Sequence, residues 1–191
     1  MTIRASLLVP AIMLFGLSLT ACGASMPSAL TPPARQGPVS GVESGRIPAG
    51  RELTPFAAGH AALEKLDPRL LRAVQKAATA AKADGITILI SSAWRSAHYQ
   101  KQLFSEARTR YGSDNKAAQY VLPPHKSAHV RGEAVDIAPT DADDWLNRHG
   151  SRYGLCQIYA NEIWHFELAT RPGTPCPRQL RNATDDRALP G

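Results

Sequence analysis

The sequence predicts an α+β domain with a small, mainly antiparallel sheet and helices packed on it. Three observations carry that expectation. Apolar residues recur at helical spacing in several stretches. Short β-branched or aromatic runs bounded by Gly, Ser or Pro separate those stretches. The two kinds of segment mix without the strict alternation that a parallel sheet needs.

The first element spans about 56–83. It is Ala-rich, and Leu70, Leu71, Val74, Ala77, Ala78 and Ala81 fall at helical spacing. Asp67-Pro68 makes a cap and first-turn signal in its middle, and Asp84-Gly85 ends it. Ile86-Thr87-Ile88-Leu89-Ile90 then reads as a buried strand and 91–96 as a turn. Tyr99, Leu103, Phe104, Ala107 and Tyr111 mark one face of a second helix that stops near Gly112. Pro123-Pro124 opens a loop into a second strand, Ala134-Val135-Asp136-Ile137. Asp141 heads a third helix carrying Trp145 and Leu146, ending at Gly150 or Gly154. Residues 157–168 read as a strand pair, or as one strand after a turn. No internal repeat is present.

The N-terminus has a different character. Arg4 precedes an apolar run over 7–19, then comes Leu19-Thr20-Ala21-Cys22. A charged start, a short apolar segment and small residues form a secretory leader. The run is shorter than the roughly 20 residues a membrane span needs. The Leu-Thr-Ala-Cys ending resembles the lipobox of bacterial lipoproteins, which implies a lipid on Cys22 and anchorage at the outer face of a bacterial membrane. From Gly23 to about Pro55 the chain is rich in Pro, Gly, Ser and Ala and poor in large apolar residues, the composition of a flexible tether. The expected organisation is therefore a leader over 1–21, a tether over 22–55, a folded domain over 56–172 and a tail over 173–191.

With Cys22 lipidated, Cys156 and Cys176 form an even pair in an oxidising compartment, which predicts a disulfide between them. The net charge of +6 and pI of 9.5 favour acidic surroundings. Nucleic acid is excluded as a partner, because an exported protein does not meet it and the basic residues form no dense run interleaved with aromatics. Anionic wall polymers and peptide carboxylates fit better. The chain is expected to be a monomer.

Chemistry concentrates in two clusters, Ser127-Ala-His129-Val-Arg-Gly132-Glu-Ala-Val-Asp136 and Glu162-Ile-Trp-His165. Two imidazoles and two carboxylates make the ligand and base set of a hydrolytic zinc site, where three protein ligands leave one position open for water. Strand parity constrains the assignment. His129 and Asp136 are seven apart and would point to opposite faces of a regular strand. Gly132 permits a bend or bulge between them, with His129 in the preceding loop. Glu162 and His165, three apart, cannot share a strand face either. Glu162 is therefore placed in the turn at Ala160-Asn161 and His165 on the strand that follows. On spacing alone Asp136 also reads as a turn former and Glu162 as a solvated charge.

The pattern Ser-x-His-x-x-Gly-x-Ala-x-Asp followed by Glu-x-Trp-His resembles the zinc D,D-carboxypeptidases and dipeptidases of the VanY type, relatives of VanX and of hedgehog-like metallopeptidases. Ser92-Ala93-Trp94-Arg95-Ser96, with Gln100 five residues after the arginine, is similar to that family's Ser-Gly-Tyr-Arg-Ser segment. The resemblance runs from about Leu66 to Leu168. It implies one zinc ion on His129, Asp136 and His165, Glu162 as general base, and Arg95 on the oxyanion or the substrate. It also implies that Ser127 and Gln100 hold the substrate's terminal carboxylate. The implied reaction is hydrolysis of the terminal D-Ala-D-Ala bond of peptidoglycan stem peptides. The same chemistry serves an L,D-carboxypeptidase or an endopeptidase, and a wall-peptide-binding lipoprotein without activity is a further alternative.

The chain departs from the family at His125, often Gly, at Val130-Arg131, where Gln-Thr is usual, and at Trp94, often Tyr. His125 reads as a surface residue or an added proton relay. Trp94 and Trp164 are expected in the core, and His60, His98 and His149 as ordinary surface or capped residues. Asn182-Ala183-Thr184 matches a glycosylation acceptor by chance.

Overall fold

The computed structural model describes residues 41–185. The leader, Cys22, the first part of the expected tether and the last six residues lie outside the described residues. The elements are α1 (Ala61–Glu64), α2 (Pro68–Ala83), β1 (Leu89–Ser92), α3 (Ala97–Tyr111), α4 (Asp114–Ala118), α5 (Ala128–Arg131), β2 (Ala134–Ala138), α6 (Thr140–His149), β3 (Leu155–Gln157) and β4 (His165–Leu168). The four strands form one antiparallel sheet in the order β1-β2-β4-β3. The α+β class and the antiparallel sheet are as the sequence predicts.

The single helix expected over 56–83 is two helices. The cap signal read at Asp67-Pro68 is the start of the second of them, the Asp67 carboxylate accepting from the Arg69 amide at 2.7 Å. Pro68 follows at a position where no donor is needed. His60 caps α1 in the same way, its Nδ1 accepting from the Ala62 amide at 3.1 Å, a buried structural role within what the sequence expects of it. α4 was not legible as a helix, because five residues give too little periodicity to register.

The first strand also lies later than expected. Ile86 and Thr87 stay outside it, while Ser91 and Ser92, read as turn, belong to it. Its pairing with β2 explains this: Leu89 faces Ala138, Ile90 faces Ile137, and after a shift in register Ser92 faces Asp136. The shift carries the chain towards Arg95 just beyond the strand. α2 packs Leu70, Val74, Ala77 and Ala81 into a core with Ile88, Ile90, Val135, Ile137, Trp145, Leu146 and Phe166. Each strand thus gives alternate residues to this core and leaves the residues between for the other face.

Residues 41–55, which composition assigns to the tether, are laid against the domain. Leu53 bridges to Ile90, with both backbone hydrogen bonds formed, and the Ser44 carbonyl accepts from the Ser96 amide at 2.9 Å. Backbone pairing holds this segment together with Ile47 and Leu53, which pack against the core. At the other end, Cys156 on β3 is bonded to Cys176. Leu180 pairs with Ile158 and Ala160, so the first part of the tail braces the loop that leads to Glu162.

One buried group in the scaffold titrates unusually. Asp143 on α6 is 4% exposed and its Oδ1 has no hydrogen-bond partner. Burial, then Asp144, Asp136 and Asp141, push its carboxyl up to about 7. Folding therefore retains a proton on Asp143 between about pH 4 and 7, where the unfolded chain has lost it, and stability falls as pH rises through that window. Asp143→Asn keeps the shape and removes the titration. It should leave stability unchanged near pH 4 and raise it at pH 8 by on the order of 1–3 kcal/mol. Urea unfolding at the two pH values checks this, and an Asn variant weaker than the parent at pH 8 contradicts it.

Candidate active site

Asp136 and His165 are direct cross-strand partners on β2 and β4, so both project from the face opposite Val135 and Phe166, which are buried in the core. His129 reaches them from α5. The sequence placed it in a loop before a bulge; it lies instead on a single helical turn ended by Gly132 in left-handed geometry, φ 75°. That turn reverses the chain into β2 and resolves the parity problem. A Cβ at Gly132 would collide with the Lys65 carbonyl, and the Gly132 carbonyl accepts from the Asp67 amide at 2.8 Å. Only glycine meets both demands.

Three ligand atoms converge. His129 Nε2 lies 3.3 Å from Asp136 Oδ1 and 3.3 Å from His165 Nδ1, and the latter lies 3.2 Å from Asp136 Oδ1. All three residues are buried. Bonds of about 2.0–2.1 Å at tetrahedral angles set ligand atoms about 3.3 Å apart, so this triangle has the dimensions that zinc requires. The far nitrogens agree. His129 Nδ1 lies 2.8 Å from the Ala93 carbonyl, which only accepts, so that nitrogen carries the proton and Nε2 is left with its lone pair. His165 Nε2 lies 2.9 Å from Glu167 Oε1, which likewise leaves Nδ1 for the metal.

Charge points the same way. Asp136, Glu162 and Glu167 surround His165, with Arg95 the one permanent cation paired with them among the described residues. Burial raises Asp136, but His129, His165 and Arg95 outweigh it and hold the carboxyl well below the ordinary range. Burial and then Arg95 lower His129, keeping its imidazole neutral as a ligand must be. For His165 burial acts downward, and the bonds to Asp136 and Glu167 overcome it and raise the ring to about 9: with no metal these carboxylates hold a proton on it, the positive charge that a bound cation would replace.

Glu162 sits in the turn before β4, as parity required, and the His165 amide donates to its carbonyl. Its Oε2 is 3.9 Å from His165 Nδ1, close to the ligand cluster and outside it. Burial is the main reason its carboxyl is pushed up to about 7, with Asp136 and Glu167 adding to this against His165. A carboxyl poised near neutrality, buried and without a hydrogen-bond partner fixing it, suits proton transfer.

Arg95 packs over the outer oxygen of Asp136. Nη2 donates to Asp136 Oδ2 at 2.6 Å, Nε to Ser92 Oγ at 2.8 Å and Nη1 to Gln100 Oε1 at 3.2 Å. Gln100 is 1% exposed, and its amide nitrogen donates to the Leu122 carbonyl at 2.7 Å. It holds Arg95, and among the described residues one N–H and one lone pair of its amide stay open for the substrate carboxylate that the resemblance assigns to it. Ser127 is buried at the start of α5 and its hydroxyl makes no hydrogen bond within the described residues, so it remains open to a substrate. Trp164 is 42% exposed beside His165, not in the core, because it lies in the turn before the strand begins. Trp94 is partly buried against the core, with the Lys65 ammonium 4.1 Å above its ring. His125 and Lys126 are exposed on the loop before Ser127.

Sequence reasoning missed Glu167, although its signal was present: two residues after His165 on a strand means the same face. It also missed Tyr159, whose ring centre lies 5.1 Å from that of His165.

A family model described as "VanY: D-alanyl-D-alanine carboxypeptidase" matches residues 63–170. The chain belongs to this family. It is 26% identical over 128 residues to a D-alanyl-D-alanine carboxypeptidase of Enterococcus faecalis, a stretch covering 54% of this chain and 48% of that protein. The chain thus spans about half the length of that curated relative. Among solved structures, a variant of the vancomycin-resistance D,D-pentapeptidase VanY in complex with Zn(II) aligns with a TM-score of 0.50 and 25% identity, over 53% of this chain and 71% of that one. VanYB in complex with D-Alanine-D-Alanine gives 0.51 and 24%, over 53% and 70%. The L,D-carboxypeptidase LdcB gives 0.50 and 22%, over 61% and 66%. The fold of these peptidases is the fold of this chain, and one metal ion fits its His129, Asp136 and His165.

Glu167 carries a direct prediction. Removing its carboxylate with Glu167→Ala should weaken zinc affinity about 10–100-fold, with Glu167→Gln between, since the amide oxygen still accepts from His165. Competition against a fluorescent chelator measures this. Unchanged affinity in the Ala variant refutes an orienting role.

Proposed function

We propose that this chain is a zinc carboxypeptidase that hydrolyses the terminal D-Ala-D-Ala bond of peptidoglycan stem peptides. The observation that carries the reading is the buried triangle of His129, Asp136 and His165 with the Glu162 carboxyl just outside it. Family membership and the D-Ala-D-Ala bound by the structural neighbour support the substrate.

Zinc on the three ligands would supply a Lewis acid that polarises the scissile carbonyl and makes water nucleophilic near neutral pH. The remaining work falls to side chains of the chain. Glu162 takes the proton of the attacking water and delivers it to the leaving amine, a round trip open to a carboxyl near pH 7 that binds no metal. Arg95 has five N–H donors and engages three, so two remain for the carbonyl oxygen as it gains negative charge. Because Gln100, Ser92 and Asp136 already fix the guanidinium, little reorganisation is needed at that moment. The Ser127 hydroxyl and the positive loop at His125 and Lys126 are available for the substrate's terminal carboxylate.

A pentapeptide ending in D-Ala-D-Ala should release D-Ala, and chelation should stop the release until zinc is restored. Glu162→Ala should lower turnover by about 10²–10⁴-fold while zinc remains bound. Release that survives removal of the metal, or full activity in the Ala variant, overturns the mechanism. Release from a tetrapeptide in place of the pentapeptide would reassign the enzyme as an L,D-carboxypeptidase.

Export and lipid attachment at Cys22 form the second part of the proposal. They rest on the leader and its Leu-Thr-Ala-Cys ending, and the Cys156–Cys176 bond fits an oxidising compartment. Cys22→Ala should move the protein from the membrane fraction to the soluble one. A variant that stays with the membrane contradicts lipid anchorage.

A further inference from the structure

A concavity of about 640 Å³ lies between α2 and the chain that follows β4, away from Arg95, Glu162 and Ser127. Its floor is apolar, with Leu70, Ala73, Leu168 and Pro172. Its walls carry eight charged side chains, and their pairing is uneven. Each of the three acids already has a partner: Asp67 with Arg69 at 2.7 Å, Glu133 with Arg131 at 2.5 Å, and Glu167 with His165 at 2.9 Å. Four cations, Arg72, Lys76, Arg152 and Arg171, have no ion pair or side-chain hydrogen bond among the described residues.

These four come from three separate parts of the fold: α2, the 3₁₀ turn at Gly150–Tyr153, and the segment after β4. Arg72 and Lys76 stand one helical turn apart on α2, about 5–6 Å between Cβ atoms. Unpaired cations brought together at one concavity repel one another, an arrangement that an anionic occupant relieves. We propose that this groove is a second binding site, for a linear phosphodiester polymer.

Chemistry selects among anions. Three of the four cations are arginines, whose planar fork pairs with phosphate oxygens two at a time. Cations on three walls suit several charges at regular intervals better than a single ion. A bilayer surface is the wrong shape for a concavity, and the exposed large apolar residues Val42, Phe56, Tyr120, Ile163 and Trp164 all lie elsewhere. Nucleic acid is disfavoured because the one aromatic residue in the groove, Tyr153, already stacks on Trp145 at 6.3 Å and offers no free platform for a base. The groove also borders the zinc site, since Glu167 lines it and holds His165. A chain-like wall polymer lying there would keep the peptidase against its surroundings while the metal face stays open.

The test is calorimetric titration of the full chain with poly(glycerol phosphate), at low and at physiological salt. The parent should bind, with affinity falling as salt rises. The double variant Arg72→Ala/Lys76→Ala and, separately, Arg152→Ala/Arg171→Ala should each weaken binding about tenfold or more. All four residues are exposed, and unchanged melting temperatures will confirm that the variants fold. Lys101→Ala/Arg110→Ala on α3, equally exposed, should bind as the parent does. The proposal is overturned if the parent does not bind at physiological salt, or if the α3 variant loses as much affinity as the groove variants. Binding that depends on the groove but is tighter for phosphatidylglycerol vesicles or single-stranded oligonucleotide than for the polymer overturns the assignment as well.

Discussion

The buried carboxylate of Asp136 sets the terms for everything around it. It stands on an interior strand of the sheet, with β1 on one side and β4 on the other. A charge in such a place costs several kcal/mol unless it is matched and hydrogen-bonded. The match is divided between its two oxygens. Oδ2 takes Arg95, while Oδ1 faces His129 and His165 at once. One oxygen is thus reserved for the metal cluster and the other for the guanidinium, and Arg95 is held beside the reaction centre by the residue that binds the metal. A change at Asp136 would remove a ligand and release the arginine together.

The fold delivers these partners by three different devices, each tied to a backbone feature. β4 brings His165 by direct register with β2, so the strand pair itself places two ligands side by side. α5 brings His129 through one helical turn and a left-handed glycine. β1 brings Arg95 through a shift in its register just before the chain leaves the sheet. The bracing of the loop before Glu162 by Leu180 adds a fourth, in which a segment without chemistry of its own keeps the Glu162 carboxyl at its post. Second partners such as the Ala93 carbonyl and Gln100 then lock the side chains.

Much of this was legible in the sequence, for reasons that differ by residue. The α+β class followed from segment types, and the turn placement of Glu162 followed from strand parity, a property of the backbone that holds in any regular sheet. The same rule said that His129 and Asp136 needed an interruption at Gly132. It could not say that the interruption was a helical turn, since four residues carry no periodicity. Residues 41–55 were misread because a few apolar residues in a polar, Gly- and Pro-rich stretch leave little compositional trace, yet Ile47 and Leu53 pack against the core and the backbone pairs with Ile90 and Ser96. Gln100 was assigned to substrate by the family resemblance; that its amide also bridges Arg95 and the Leu122 carbonyl, 22 residues away in the chain, depends on packing that a short motif does not carry. Trp164 was expected in the core because its neighbour His165 must be held rigidly, but it lies in the turn before β4, which leaves it exposed.

Glu162 and Glu167 make the final point about how environment assigns roles. Both are glutamates near the same histidine, three residues before it and two after. Glu167 shares a strand face with His165, bonds its outer nitrogen, and is thereby committed to orienting the ring. Glu162 lies in a turn, buried, with no bond to anchor it, and burial lifts it to about 7. Exchanging the two environments would exchange the two functions: a carboxylate tied to an imidazole cannot shuttle protons, and one that shuttles protons cannot hold a ligand still. What separates the two glutamates is therefore the phase of the strand at His165, which begins too late to capture Glu162 and early enough to align Glu167.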